Sequence, residues 1–274
     1  MAVIFERGEA SGRRGRPVRP AARHGGMKAL PPILAGRGKT ALVFGAAGGI
    51  GRATCSLFEA AGVRVVAVDR DKRRLGTPTL RRHPIVADAA DEVAVDGAFA
   101  EAGRRVGTID YVVNLVGITG HGRLDSLSLA DWNRVMATNL TSAFLVARSA
   151  YRCLRRPGGV LILMSSTNGR AGGTQYSGAA YGAAKAGVLN LTRYLAKEWA
   201  PDGLRVNTLA PGPVDTPMLA RLSPREHAAL KAAVPLKRYA SAAEIAAGIA
   251  FLCSRHAQTM TGTCLNVSGG LVLD

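Results

Sequence analysis

Short, almost unbroken apolar runs recur along the chain, and segments with helical spacing lie between them. A strand exposed on one face alternates polar and apolar residues, whereas a strand covered on both faces reads as continuous Val, Ile and Leu. The pattern therefore predicts a single α/β domain with a doubly wound parallel sheet of about seven strands flanked by helices. The predicted strands are Thr40–Phe44, Arg64–Asp69, Pro84–Asp88, Asp110–Val116, Gly159–Met164, Leu204–Leu209 and Thr263–Val267.

A glycine-rich turn follows the first predicted strand and opens a helix. Its glycines, Gly45, Gly49 and Gly51, have the spacing G-x-x-x-G-x-G. Such a turn lets a pyrophosphate approach backbone N–H groups at a helix N-terminus. Asp69 ends the next strand, where a carboxylate would accept hydrogen bonds from a ribose 2′-hydroxyl and repel a 2′-phosphate. We therefore predict NAD as the cofactor, with NADP as the alternative because Arg70 follows directly.

Three polar residues carry the predicted chemistry. Tyr181 and Lys185 are four residues apart in a helical segment, so they share one helix face. A fixed cation near a phenol favours the phenolate, and we therefore expect Lys185 to lower the pKa of Tyr181. Ser166, at the end of a strand, would hold a carbonyl or alcohol oxygen beside the phenol. The set predicts acid–base chemistry at such an oxygen.

These features together resemble the short-chain dehydrogenase/reductase family across residues 39–272. The family's motifs occur in order: the glycine turn, Asp69, Asn114–Gly117, Asn139, Ser166, Tyr181 with Lys185, and Pro211-Gly212. The resemblance implies a Rossmann domain and an NAD(P)-dependent oxidoreductase. It would transfer hydride reversibly between the cofactor and a secondary alcohol or ketone.

The resemblance also implies roles for individual positions. Ser166, Tyr181, Lys185 and Asn139 would be catalytic, with Asn139 binding a water that links the lysine to solvent. Asp88 would lie beside the adenine, and Thr216 would meet the carboxamide. The implied cofactor-binding residues are Gly45, Gly49, Ile50, Gly51, Asp69, Asp88, Asn114, Gly117, Tyr181, Lys185, Pro211, Gly212, Val214 and Thr216. The implied substrate pocket comprises Ser166, Asn168, Tyr176, Tyr181 and Met218.

Some positions depart from the family pattern and bear on the substrate. Leu115 and Val116 replace the usual Asn-Ala, so the floor of the pocket should be more apolar. Ser166 and Tyr181 are fifteen residues apart, about two more than is usual in the family. Together with the basic surface, the apolar floor favours a hydrophobic keto compound or a 3-oxoacyl thioester. Steroid-like, polyketide-like, sugar and cyclic-diol substrates remain open.

The charge of the chain is concentrated at its N-terminus. The formal net charge is +17, and residues 1–38 contain eight Lys or Arg against two Glu. These residues lack hydrophobic periodicity, and we predict a disordered basic extension before a domain at residues 39–274. A targeting segment, or a true start at Met27, is an alternative. A different class of function is a non-catalytic NAD-binding sensor or scaffold that docks nucleic acid through this extension.

The remaining signals concern location and assembly. No run of eighteen apolar residues and no secretory signal is present, so we expect a cytoplasmic protein without membrane contact. The four cysteines are far apart and include no C-x-x-C pair, which argues against a disulfide framework or metal site. We expect a small-molecule alcohol or ketone as substrate and no specific nucleic acid. The family resemblance implies a homotetramer or homodimer.

Overall fold

The strands of the computed structural model fall close to the predicted apolar runs. The structure describes residues 34–174 and 176–273. Most strands consist of buried β-branched and aliphatic residues, as continuous coverage on both faces requires. In chain order they are β1 Thr40–Phe44, β2 Arg64–Asp69, β3 Arg82–Val86, β4 Tyr111–Asn114, β5 Val160–Met164, β6 Arg205–Pro211, β7 Val214–Asp215, β8 Ala240–Ser241 and β9 Cys264–Val267.

Seven of these strands form one parallel sheet in the order β3-β2-β1-β4-β5-β6-β9. The register places Val43 beside Ala67 of β2 on one side and Val113 of β4 on the other. The order reverses between β1 and β4, which creates a crevice at the carboxyl ends of these strands. The predicted doubly wound sheet of about seven strands is confirmed.

Helices cover both faces of the sheet and produce two cores. Along β1, Leu42 and Phe44 pack into the core that α3, α5 and α7 supply, while Ala41 and Val43 pack into the core of α1 and α9. No helix of the described residues is both long and apolar enough to cross a membrane. The helices are α1 Gly49–Ala60, α2 Lys72–Leu75, α3 Glu92–Val106, α4 Leu129–Met136, α5 Ser142–Cys153, α6 Asn168–Ala171, α7 Ala179–Trp199, α8 Pro224–Ala233 and α9 Ala242–Cys253.

Two elements differ from their predictions. The third strand was expected to end at Asp88, but β3 ends at Val86 and Asp88 lies in the following turn. The predicted helix from Ser128 to Arg156 is interrupted, because residues Ala137–Thr141 form a π-helical turn between α4 and α5. Such turns often occur at functional sites, and this one contains Asn139.

The packed domain includes residues before the predicted boundary at Lys39. Leu34 is 2 % exposed and packs in the core that lines α1 and α9. The Gly36 amide donates to the Ala61 carbonyl at 3.1 Å, which ties this segment to the end of α1. Residues 34–38 therefore are part of the fold. The predictions for residues 1–33 concern a segment outside the described residues and stay predictions.

A buried carboxylate joins three elements at the amino edge of the sheet. Asp110 is 1 % exposed and precedes β4. Its Oδ1 accepts from Lys39 Nζ at 2.9 Å and from Arg155 Nε at 2.7 Å, while its Oδ2 accepts from the Thr40 amide at 2.9 Å. The buried charge is thus neutralised and hydrogen-bonded, as burial of a carboxylate requires.

Candidate active site

A cleft of about 610 Å³ opens at the carboxyl edge of the sheet, at the crevice between β1 and β4. Its walls come from the turns after β1, β2, β3, β4, β5 and β6, from the first turns of α7, and from residue 217 onward to α8. Of the predicted site residues, only Asn114 and Asn139 are not in its wall, and both lie directly behind it. Parallel strands bring these separate turns together because their carboxyl ends share one edge.

The glycine-rich turn after β1 has no room for a side chain at Gly45, Gly49 or Gly51. Gly45 has φ of +76°, a conformation that favours glycine. A Cβ on Gly51 would lie 2.1 Å from the Gly45 carbonyl oxygen and 2.8 Å from Ala46 Cα. A Cβ on Gly49 would lie 2.8 Å from Thr216 Cγ2, across the cleft. The turn therefore exposes backbone at the N-terminus of α1, where Ile50 also faces the cleft.

Asp69 both ends β2 and anchors this turn. Its Oδ2 accepts from the Ala47 amide at 3.0 Å, and its Oδ1 accepts from the Asp71 amide at 3.0 Å. Arg70 and Asp88 form an ion pair at 3.5 Å across the same part of the cleft. Arg74, which the sequence analysis missed, also lines this end. Two carboxylates and two guanidinium groups therefore surround the predicted adenosine position.

The turn after β4 supports the floor of the cleft. Asn114 is 3 % exposed, and its Oδ1 accepts from the Val116 amide at 3.1 Å. Leu115 and Val116 line the cleft and make its floor apolar, as expected from their replacing the usual Asn-Ala. At Gly117 a Cβ would lie 2.7 Å from Asn139 Oδ1 and 3.2 Å from Lys185 Nζ. The absence of a side chain at Gly117 therefore leaves space between these two polar groups.

Asn139 lies in the π-helical turn, where its Nδ2 is hydrogen-bonded and its Oδ1 has no donor among the described residues. Its Nδ2 donates to the Ile118 carbonyl at 2.9 Å and to the Val135 carbonyl at 2.8 Å. Its Oδ1 is buried and accepts from no donor of the described residues. A buried acceptor without a partner is costly, and a water molecule is the usual solution. The geometry fits a bound water between Asn139 and Lys185.

Ser166, Tyr181 and Lys185 meet at the base of the cleft. Tyr181 and Lys185 lie one turn apart on α7, with Lys185 Nζ 5.6 Å from the centre of the Tyr181 ring. Lys185 Nζ donates to the Met164 carbonyl at 2.8 Å, at the end of β5. Ser166 is 7 % exposed, and its Oγ accepts from the Asn168 amide at 3.2 Å. Ser165 is engaged elsewhere, donating to the Lys185 carbonyl at 2.8 Å.

Burial changes the titration of both α7 groups. It lowers the pKa of Lys185 to about 7 and raises the pKa of Tyr181, with the Ser166 hydroxyl opposing the second shift. The expected lowering of the Tyr181 pKa by Lys185 is therefore wrong, because the shift is upward. The physical reason is desolvation, which disfavours the ammonium and the phenolate alike. Tyr181 consequently remains a protonated phenol at neutral pH.

The burial of Lys185 should make the free energy of unfolding depend on pH. Unfolded Lys185 keeps its proton to about pH 10.4, whereas the folded state releases it above about pH 7. In this range the unfolded state holds more protons, so the free energy of unfolding rises with pH. Relative to Lys185→Met, the wild-type value should rise with pH, with a slope that approaches about 1.4 kcal/mol per pH unit above pH 8. Urea unfolding of both proteins at pH 7, 8 and 9 measures this, and parallel pH profiles would contradict it.

The segment after β6 forms the opposite wall of the cleft. The Gly212 amide donates to the Val267 carbonyl at 3.1 Å, and a Cβ at Gly212 would lie 2.9 Å from the Ser268 carbonyl oxygen. Pro211, Val214 and Thr216 line the cleft beside the glycine turn. This wall therefore depends on close backbone contact between the ends of β6 and β9.

The substrate end of the cleft contains the remaining predicted residues and one that sequence reasoning missed. Asn168 begins α6, Tyr176 lies in the long loop, and Met218 is 44 % exposed opposite them. Arg221 also lines this end and donates from Nη2 to the Tyr176 carbonyl. Its only sequence signal was its position shortly after Pro211-Gly212, in a segment without periodicity.

Comparison with known proteins agrees with this geometry. A family model described as enoyl-(acyl carrier protein) reductase matches residues 45–272. Acetoacetyl-CoA reductase of Acinetobacter sp. (strain RA3849) is 34 % identical over 245 residues, 86 % of this chain and 98 % of that protein. 3-Oxoacyl-(acyl-carrier-protein) reductase FabG of Aquifex aeolicus is 34 % identical over 244 residues, with the same coverage of 86 % and 98 %.

Solved structures give the same result. A short-chain dehydrogenase/reductase from Brucella melitensis, described as SDR:glucose/ribitol dehydrogenase, superposes with a TM-score of 0.83 at 34 % identity. The match covers 88 % of this chain and 99 % of that one. Sequence and fold therefore agree along nearly the whole described domain. The chain belongs to the short-chain dehydrogenase/reductase family of oxidoreductases, which use nicotinamide cofactors.

Proposed function

We propose that the protein reduces the keto group of a 3-oxoacyl-type or similarly apolar compound, using NADH. The observation that carries the proposal is the convergence of Ser166, Tyr181 and Lys185 in the cleft, with Asn139 and its free Oδ1 directly behind. The relatives named acetoacetyl-CoA reductase and 3-oxoacyl-(acyl-carrier-protein) reductase support the substrate class. The apolar floor of Leu115 and Val116 is consistent with it.

The residues of the cleft fit a dinucleotide. The turn that Gly45, Gly49 and Gly51 form leaves backbone open at the start of α1, as a pyrophosphate requires. Asp69 and Asp88 would hold the adenosine end, Asn114 and Gly117 would support the middle, and the segment from Pro211 to Thr216 would meet the carboxamide end. A bound nicotinamide supplies the hydride, and the protein supplies position and proton transfer.

The proton would come from Tyr181. Because burial keeps its hydroxyl protonated at neutral pH, the phenol can donate to the carbonyl oxygen during reduction. Ser166 would donate a hydrogen bond to the same oxygen and so fix its position. Lys185 and a water at Asn139 Oδ1 would return a proton to Tyr181. The reverse sequence would serve alcohol oxidation.

A panel of ketones with NADH and NADPH tests the proposal. We expect oxidation of NADH with acetoacetyl-CoA or related 3-oxoacyl thioesters, followed as loss of absorbance. The absence of turnover with every ketone and alcohol, with both nucleotides, would reject it. The alternative, a non-catalytic NAD-binding sensor or nucleic-acid scaffold, has no support among the relatives, whose names are those of reductases.

The cofactor preference has its own test at Asp69. We expect kcat/KM for NADH to exceed that for NADPH, because the carboxylate repels a 2′-phosphate. Asp69→Asn keeps an oxygen for the Ala47 amide but removes the charge. The ratio of kcat/KM for NADH to kcat/KM for NADPH should therefore fall at least about tenfold. Asp71→Asn is the matched control, since Asp71 instead accepts from the Arg73 and Arg74 amides at the start of α2. A wild-type preference for NADPH would contradict the NAD assignment.

Assembly into a homodimer or homotetramer is part of the proposal. Aromatic side chains are exposed on the outer helices: Phe144 and Tyr151 on α5 are 46 % and 38 % exposed, and Tyr194 on α7 is 62 % exposed. Exposed aromatic groups of this kind are enriched in interfaces between subunits. Light scattering on the purified protein gives the molar mass. A molar mass equal to that of one chain would reject the proposed assembly.

A further inference from the structure

The two ends of the cleft differ in charge. At the nucleotide end, Asp69 and Asp88 face Arg70 and Arg74, so that negative and positive groups are mixed. Beyond Ser166 and Tyr181, the wall is made of apolar and neutral polar groups together with Arg221. No acidic residue of the described chain lines this end. Arg221 therefore gives the substrate end a positive charge.

Arg221 is exposed and uses few of its hydrogen-bond donors within the protein. Its Nη2 donates to the Tyr176 carbonyl, across the cleft wall from its own segment. One of its five N–H donors is engaged in this way. Among residues 34–174 and 176–273, it forms no ion pair, and it makes no other hydrogen bond. A guanidinium that is oriented and yet retains free donors is suited to bind a ligand.

The nearest acidic group in the sequence does not neutralise Arg221. Glu226 lies at the start of α8, and its Oε2 accepts from the Ser223 amide and hydroxyl, both at 2.8 Å. These bonds, and to a smaller degree the charge of Arg221, lower the pKa of Glu226. The Glu226 carboxylate thus caps the helix, and among residues 34–174 and 176–273 Arg221 has no ion-pair partner.

Apolar side chains line the same end of the cleft as Arg221. Leu219, Leu222 and Leu230 line the same end of the cleft. They offer a ligand apolar contact, while a hydrogen bond from the charged guanidinium to an anionic oxygen is stronger than one between neutral groups. A planar guanidinium also matches the two oxygens of a carboxylate or phosphate.

We propose that Arg221 binds an anionic oxygen group of the substrate, a carboxylate or a phosphate, while the reacting carbonyl lies at Ser166 and Tyr181. This rests on the proposed ketone reduction, because it assigns the two ends of one molecule to one cleft. The substrate is therefore an oxo compound with an acidic group at the end remote from the reacting carbon. Arg221 is its specificity-determining residue.

Two pairs of probes separate charge from shape. Acetoacetate and methyl acetoacetate differ in a free carboxylate. Acetoacetyl-CoA and the acetoacetyl thioester of N-acetylcysteamine differ in the phosphates, the adenosine and the pantothenate of the carrier. Their dissociation constants are measured by calorimetry in the presence of NADH, with Tyr181→Phe as the background so that no turnover occurs. Binding is thus measured independently of catalysis. A failure of Arg221 to bind the anionic group can therefore be distinguished from a failure of the wild type to catalyse the proposed reaction.

Three variants in this background test the residue itself. Arg221→Gln removes the charge, and Arg221→Lys keeps it without the planar fork. Arg225→Gln is the matched control, because it removes one arginine from the adjacent helix α8 at an exposed position outside the cleft wall. Any effect of net charge alone will appear equally in the control.

We expect the anionic member of at least one pair to bind about ten- to a hundredfold more tightly than the neutral member. Arg221→Gln should bring this ratio close to one, Arg221→Lys should give an intermediate value, and Arg225→Gln should leave it unchanged. The pair that responds identifies a carboxylate or a phosphate as the group. A ratio near one in both pairs overturns the proposal, as does a ratio unchanged by Arg221→Gln. An equal loss of NADH affinity would also overturn it, since Arg221 would then contact the dinucleotide.

Discussion

The Tyr181→Phe variant is expected to lose about a thousandfold in kcat for ketone reduction while binding NADH almost as tightly as the wild type. The substitution removes one oxygen and keeps the ring, which packs with Val135 and Ala180. Folding and the shape of the cleft should therefore persist. Without the phenol, the described residues next to Ser166 offer no comparable proton donor, because Lys185 Nζ is directed to the Met164 carbonyl.

Steady-state kinetics and NADH fluorescence measure these two quantities separately. Tyr176→Phe is the matched control, since Tyr176 also lines the cleft but has no proposed role in proton transfer. Its kcat should stay within about twofold of the wild-type value, because the lost hydroxyl takes no part in the proposed proton transfer. If Tyr181→Phe retained more than a tenth of the wild-type turnover, the proton would have to come from another group.

The second large effect is expected at Gly51. Gly51→Ala would place a Cβ 2.1 Å from the Gly45 carbonyl oxygen. Backbone atoms on both sides of this contact prevent relief by side-chain rotation, so the turn has to open. We expect the dissociation constant for NADH to rise about a hundredfold, and the free energy of unfolding to fall by about 1–3 kcal/mol.

Calorimetric titration with NADH and urea unfolding give the two values. Gly103→Ala is the control, because a Cβ there meets nothing within 4 Å on α3. In the interior of a helix this change should stabilise the protein by about 0.5–1 kcal/mol. Unaltered NADH binding in Gly51→Ala would show that the glycine turn does not contact the dinucleotide.

The sheet could be predicted from sequence because its central strands are continuously apolar. β1, for example, has no polar residue after Thr40, and both of its faces are buried. β3 was misplaced by two residues because Arg82 and His83 begin an edge strand that is half exposed. Apolar continuity indicates coverage on two faces, and an edge strand does not have it.

The site was predictable where it depended on motif and order, and less so where it depended on tertiary contacts. The positions of Ser166, Tyr181 and Lys185 follow from the ends of two elements that meet at one sheet edge. The π-helical turn at Asn139 could not be predicted, because it depends on the side chain reaching the Ile118 carbonyl, 21 residues earlier. Arg221 was missed for the same reason, since its contact with Tyr176 joins two loops without periodicity.

The Asp110 cluster has a consequence for how this protein can change. It ties β1, β4 and the segment after α5 together at the amino edge, while the cleft opens at the carboxyl edge. Changes at sites that are far apart and share no contacts usually combine additively. Substitutions that strengthen the amino edge can therefore raise the tolerance of the fold to heat without reshaping the cleft. The added stability would let destabilising substitutions accumulate around Arg221 and Tyr176. Specificity for new compounds could then evolve while the fold stays the same.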